Sequence, residues 1–81
     1  MQLTVLLFGP QAKLADAKSV QVNLGERATA ADVLAALEGA CPALDDSIRT
    51  SRLAINHEFA ADDALVTEGD ELALIGMVSG G

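Results

Sequence analysis

Apolar and polar positions along this chain change their period several times, and each change marks an element. In "LTVLLF" (3–8), Leu3, Val5 and Leu7 share one face of an extended strand, while Leu6 and Phe8 share the other. Apolar side chains on both faces predict a strand inside a sheet rather than at its edge. Gly9-Pro10 ends the run, and "QAKLADA" suits a single helical turn or a broad loop equally well. "SVQVNL" (19–24) alternates strictly: Val20, Val22 and Leu24 inward, Ser19, Gln21 and Asn23 outward. The two runs predict an antiparallel hairpin with a long connection.

Gly25-Glu26-Arg27 breaks the alternation, and "TAAD" then reads as a helix start. The Thr29 hydroxyl can accept from the backbone N–H three residues on, and Asp32 can answer from the first turn. Val33, Leu34, Leu37 and Cys41 follow at helical spacing. Cys41-Pro42 closes the helix, because a residue before proline is pushed out of the helical region. "ALDDSIRTS" predicts a short helical turn or irregular stretch. "RLAIN" (52–56) predicts a brief strand with Leu53 and Ile55 inward, "NHE" a turn, and Phe59 a short edge strand. "DDALVTEGDE" reads as a loop anchored by Leu65, with a turn at Glu68-Gly69-Asp70. "ELALI" (71–75) is the last strand.

The predicted order is thus β-β-α-β-(β)-β. A last strand lying beside the first runs parallel to it and needs a long crossover. One main helix packed on a mixed four- to five-stranded sheet is the α+β, ubiquitin-like β-grasp arrangement. The expected division is a β-grasp domain over 1–75 and a flexible, extended C-terminal tail over 76–81.

Composition narrows the function. Twelve acids against five Lys and Arg give a net charge of −7. That balance speaks against nucleic acid, whose phosphates demand clustered basic residues. It suits simple solubility or docking on a basic partner surface. The apolar start has no basic leader and no small-residue cleavage site, so it reads as a strand rather than a signal peptide. No segment approaches the roughly 20 apolar residues of a membrane span, so no membrane is expected. The single cysteine, Cys41, excludes an internal disulfide and fits a reducing, cytoplasmic location.

Few side chains carry candidate chemistry. Reactive thiolates need positive surroundings, whereas Glu38 and Asp45 neighbour Cys41, which reads as a packing residue. His57 has no second nitrogen or sulfur ligand nearby, so no metal site is expected. Asp45-Asp46 and Asp62-Asp63 are sequence neighbours, which do not face one another in a helix or strand. "LFGP" lacks the later glycines and the lysine of a phosphate loop.

The tail "GMVSGG" remains. It is either a frayed end or the working group. Residues 76–81 follow a buried strand with no polar linker and reach about 20 Å when extended. Glycines lack a Cβ, so such a tail can thread a narrow tunnel and bring its carboxylate to another protein's active site. A carboxylate must first be activated, and nothing in this chain can bind ATP. A separate activating enzyme is therefore implied.

"GDELALIGMVSGG" closely resembles the C-terminus of the molybdopterin synthase small-subunit family, ubiquitin-like sulfur carriers of the MoaD/ThiS superfamily. "LTVLLFG", "TAADVLAAL", "LAINHEFA" and "EGDELALI" fall in that family's order along the whole chain. The resemblance implies that a ubiquitin-activating-type adenylyltransferase uses ATP to form an acyl-adenylate on Gly81. A sulfur donor then converts it to a thiocarboxylate. It also implies that the tail enters the molybdopterin synthase large subunit in a two-plus-two heterotetramer and delivers sulfur to cyclic pyranopterin monophosphate. On this reading Gly81 carries the sulfur and Gly80 permits close approach. Ile75, Met77, Val78 and Ser79 contact the partner. Phe8 and Phe59 either join them or belong to the core. The chain is a sulfur-donating subunit, not an enzyme by itself, and binds no cofactor of its own.

One departure stands out. Family members often carry Pro-Pro where this chain has Gly76-Met77, which implies a looser tail here. Related readings share the terminal chemistry: a carrier for thiazole or cysteine synthesis, or a modifier conjugated to lysines through Gly81. A plain β-grasp binding module, with an idle tail, is the remaining alternative.

Overall fold

A computed structural model describes residues 1–77. The elements are β1 (Gln2–Leu6), α1 (Gly9–Ala15), β2 (Ser19–Asn23), α2 (Ala30–Ala40), a 3-10 turn (Pro42–Leu44), α3 (Asp45–Arg49), β3 (Ser51–Ile55), β4 (Glu58–Phe59) and β5 (Leu72–Gly76). The strands form one mixed sheet in the order β2-β1-β5-β3-β4. β1 runs parallel to β5, with Val5 opposite Leu72. The other pairings, β1 with β2, β3 with β5 and β3 with β4, are antiparallel. This is the expected α+β, ubiquitin-like β-grasp architecture.

The period-2 pattern decides which side chains meet α2. Leu3, Val5, Val22, Leu53, Leu72 and Leu74 point to one side of the sheet, where Ala30, Val33 and Leu37 of α2 close over them. Val5, Val33, Leu37, Leu72 and Leu74 are fully buried. Leu44 and Ile48, from the stretch expected to be a turn or irregular, complete this core from the 3-10 turn and α3. Each such aliphatic side chain contributes about 1.5–3 kcal/mol by leaving water.

The start of α2 follows the local signal. Thr29 Oγ1 accepts from the Asp32 N–H, and Asp32 Oδ2 accepts from the Thr29 N–H at 2.9 Å. The next free donors, Ala30 and Ala31 N–H, bond to the carbonyls of Ala64 and Asp62. The loop before β5 therefore satisfies helix donors that would otherwise need water.

Three expectations need correction. Leu65 does not anchor its loop: it is 62% exposed, and Val66 is buried instead. Thr29 and Leu65 form an isolated antiparallel bridge, and the Val66 N–H bonds to Ala28 O. Alternation along that extended segment turns Leu65 out and Val66 in. Residues 9–15 form a helix of seven residues rather than a single turn or broad loop, entered through Gly9 at φ +51° and left through Asp16 at φ 52°. The last strand reaches Gly76, and the Met77 N–H still donates to Thr50 O at 2.9 Å.

The β3-β4 turn is tied to the start of β5. Asn56 and His57 both have positive φ, 52° and 71°. The Asn56 amide donates to Asp70 Oδ1 at 3.0 Å, and its Oδ1 accepts from the Glu71 N–H at 2.9 Å. Asp70 Oδ2 accepts from the Thr67 N–H at 2.8 Å. The Thr67 N–H first, and the Asn56 amide after it, hold the Asp70 carboxyl below the ordinary aspartate range.

Thr29→Ala should lower stability by about 1 kcal/mol, read as a shift of the urea midpoint at unchanged slope. The Asp70 contribution follows from its lowered folded value: it is present above the unfolded value of about 3.9 and lost as pH falls through the folded one. Asp70→Asn should therefore be less stable than the parent at neutral pH, with the gap narrowing once the pH falls below about 3.9 and through the lowered folded value. A gap of constant size in urea titrations across that range would show that the carboxylate charge plays no part.

Candidate functional site

The side of the sheet facing away from α2 has no element of the described chain packed over it, and it divides into two halves. Gln2 and Thr4 of β1, with Ser19, Gln21 and Asn23 of β2, make one half polar; Gln2 Nε2 donates to Gln21 Oε1 at 2.7 Å. The other half is a shallow apolar groove lined by Leu6, Phe8, Ala54, Phe59, Ala73 and Ile75, with His57 and Glu71 at its rim. Phe8 is 53% and Phe59 52% exposed. Neither aromatic belongs to the core.

Charge is confined to the edge of this groove. Arg52 lies over the Phe59 ring with its guanidinium carbon 5.0 Å from the centroid, a cation–π contact that orients the ring. His57 Nε2 sits 2.9 Å from Glu71 Oε2, with both side chains well exposed. Such an exposed pair stabilises the fold little. Its consequence is local: it places a polar, hydrogen-bonding rim beside an apolar floor.

The residues expected to contact a partner divide between this face and the tail. Ile75 lies on β5 with its side chain in the groove. Met77, 45% exposed, follows directly beyond the strand. Val78, Ser79, Gly80 and Gly81 lie outside the described residues. Gly76 and Met77, expected to loosen the tail, are held at its root. Gly76 is paired opposite Ser51, and Met77 is bonded to Thr50.

The remaining candidates stay apart. Cys41 caps the end of α2, partly buried against the core. Asp45 and Asp46 open α3, and Asp62 and Asp63 lie in the exposed loop before β5. Among the described residues no three His, Cys, Asp or Glu side chains come together as a metal would require, and no helix is long and apolar enough to cross a membrane. Periodicity missed the apolar groove, because it reports that a residue is apolar but not whether anything covers it. The hint was there in Leu6 and Phe8, the second apolar face of a strand in a chain with few elements to cover it.

Comparison with known proteins places the chain. The ThiS family matches residues 5–81. The molybdopterin synthase sulfur carrier subunit of Chlamydomonas reinhardtii is 36% identical over 83 aligned positions, covering 100% of both chains. The crystal structure of SAMP1 from Haloferax volcanii superposes with a TM-score of 0.84 at 35% identity, again over 100% of each chain. Subunit 1 in a complex of subunits 1 and 2 of the molybdopterin-converting factor from Helicobacter pylori shares the fold, with a TM-score of 0.70 at 20% identity over 100% of both chains. A match across nearly all of its length, on a β-grasp sheet with an uncovered apolar groove beside the C-terminal strand, shows that this chain belongs to the ThiS family.

Proposed function

We propose that the chain is the sulfur carrier of a molybdopterin synthase, with Gly81 as the atom-carrying residue. The observation that carries this reading is the full-length 36% identity to a molybdopterin synthase sulfur carrier subunit. The uncovered groove supports it. A carrier has to be held by an activating enzyme and by an acceptor enzyme in turn, and an apolar face next to the tail's root gives both a place to grip.

The chemistry follows from the carboxyl group. A Gly81 carboxylate oxygen attacks the α-phosphorus of ATP, bound on an adenylyltransferase of the ubiquitin-activating type, and pyrophosphate leaves. The acyl-adenylate is an electrophile where the carboxylate was not. Hydrosulfide released by a sulfur donor attacks its carbonyl, AMP leaves, and a thiocarboxylate remains. The large synthase subunit then receives the tail, and the thiocarboxylate sulfur attacks a side-chain carbon of cyclic pyranopterin monophosphate, displacing the oxygen substituent it carries. Hydrolysis of the resulting acyl link returns the Gly81 carboxylate, so one carrier delivers one sulfur per cycle. The chain holds no cofactor and contributes no acid or base. Gly80, with no Cβ, lets the partner's active-site walls approach the tail backbone. Ile75 and Met77, with Val78 and Ser79 beyond them, make the contacts that seat it. The pairing of subunits in the Helicobacter pylori complex supports a large-subunit partner.

A second reading has its own support, the likeness to SAMP1, a small archaeal modifier protein. In a modifier the same adenylate is attacked by a lysine amine of another protein, leaving an isopeptide bond in place of a thiocarboxylate.

Incubation with an activating enzyme, ATP and a sulfur source should add to the intact mass the difference between sulfur and oxygen. Deleting Gly81 should abolish the change. No change, with an enzyme shown to load another carrier, would sink the carrier reading, and stable adducts at lysine would favour the modifier. Phe8→Ala and Phe59→Ala should each weaken binding to the large subunit roughly tenfold or more, as loss of an aromatic anchor does. The melting temperature should hardly move, because both side chains are exposed.

A further inference from the structure

On the helix side of the sheet, opposite the groove, a small polar assembly sits at the root of the tail. Gln11 is the one buried polar side chain among the described residues, 7% exposed. Its Nε2 donates to Ser51 Oγ at 2.7 Å. The Ser51 hydroxyl donates in turn to the Ser47 carbonyl at 2.6 Å, in the middle of α3. The chain of bonds thus joins α1, β3 and α3, and each bond polarises the next.

The same amide lies against the last residue of β5. A Cβ added to Gly76 would stand 2.9 Å from Gln11 Nε2, closer than real side chains pack. Gly76 faces Ser51 across the β3-β5 ladder. Its backbone is therefore flanked by Ser51 in the sheet and by the Gln11 amide above it, and Met77 is bonded to Thr50 immediately beyond. If Gln11 only filled space, an apolar residue would serve without a buried amide to satisfy. A buried amide anchored through its Nε2, set against a glycine that leaves room for it, fits a purpose at this point in the chain.

We propose that Gln11 is a positioning residue for the tail. Its amide, held by Ser51, fixes the direction in which the backbone leaves β5 at Gly76, and so aims the segment that ends in the terminal carboxyl. A glycine otherwise has the widest backbone freedom of any residue. Restricting it in the free protein holds the departing backbone in line for reaction once the groove is gripped. The purpose rests on the carrier reading, but the geometry does not.

The test separates the two. In the full-length protein, Gln11→Met keeps the length and apolar packing of the side chain but loses the bond to Ser51. Ser51→Ala removes the anchor and leaves Gln11 in place. In either variant the amide order parameters of Gly76 and Met77 should fall from the rigid value of about 0.85 toward the flexible range below about 0.6, with the rest of the sheet unchanged. With the protein as substrate of an activating enzyme, KM should stay at the parental value, because the groove is intact. The turnover number should fall roughly tenfold, as it does when a reacting group is misaimed. Gly76→Ala should reproduce both effects by displacing Gln11, and should add little in a Gln11→Ala background.

Unchanged order parameters in both Gln11→Met and Ser51→Ala would overturn the proposal. So would an equal effect of Gly76→Ala in the two backgrounds, or parental turnover in variants of a protein that is readily loaded. If the order parameters fall while the parent protein is not loaded at all, the clamp stands and the carrier reading fails.

Discussion

The parallel contact between β1 and β5 is the constraint on which the molecule is built. Val5 and Leu72 are paired there, and both are fully buried. Two parallel neighbours cannot be joined by a tight turn. The chain between them takes a long route, through α1, β2, α2, the 3-10 turn, α3, β3 and β4, before β5 comes to lie beside β1. The pairing also puts the C-terminal strand at the centre of the sheet rather than at its edge. Apolar Leu72 and Leu74 are required on the α2 side. The residue that follows β5 thus starts from the middle of the sheet.

Because β5 is central, its two faces have different duties. The α2 side is closed by aliphatic packing and, at its end, by Gln11 and Ser51. The other side is open, with Ala73 and Ile75 flanked by Leu6, Phe8, Ala54 and Phe59. One strand therefore borders both the core and the apolar groove, and it ends at Gly76, where the tail begins. A partner gripping the groove holds the strand from which the tail departs.

What could be read from the residue order was whatever depends on near neighbours. The Thr29–Asp32 capping box, the alternation of Leu3, Val5 and Leu7, and the stop at Cys41-Pro42 are all contained within a few residues. Each appears as expected. Leu65 and Val66 could not be told apart, because the bridge to Thr29 that sets their facing comes from a segment more than thirty residues away in the chain. Phe8 and Phe59 stayed ambiguous for a similar reason: an aromatic ring looks the same in sequence whether or not another layer covers it. Gln11 gave no signal at all, since its meaning depends on Ser51, 40 positions along. Gly80 and Gly81 were singled out by resemblance and not by packing, and they lie outside the described residues.

The open face also has a sense of direction. Its polar half, along β1 and β2, is wetted by Gln2, Thr4, Gln21 and Asn23, while its apolar half lies toward β3 and β4. A protein that buries only the apolar half sits off-centre, to one side of β5, and cannot be turned end for end without stranding its own apolar groups against amides and hydroxyls. Two unrelated enzymes that bind there must approach with the same polarity. On the proposed carrier reading, such a face works like a keyed plug: successive users can share no common ancestry and still meet β5 from the same side.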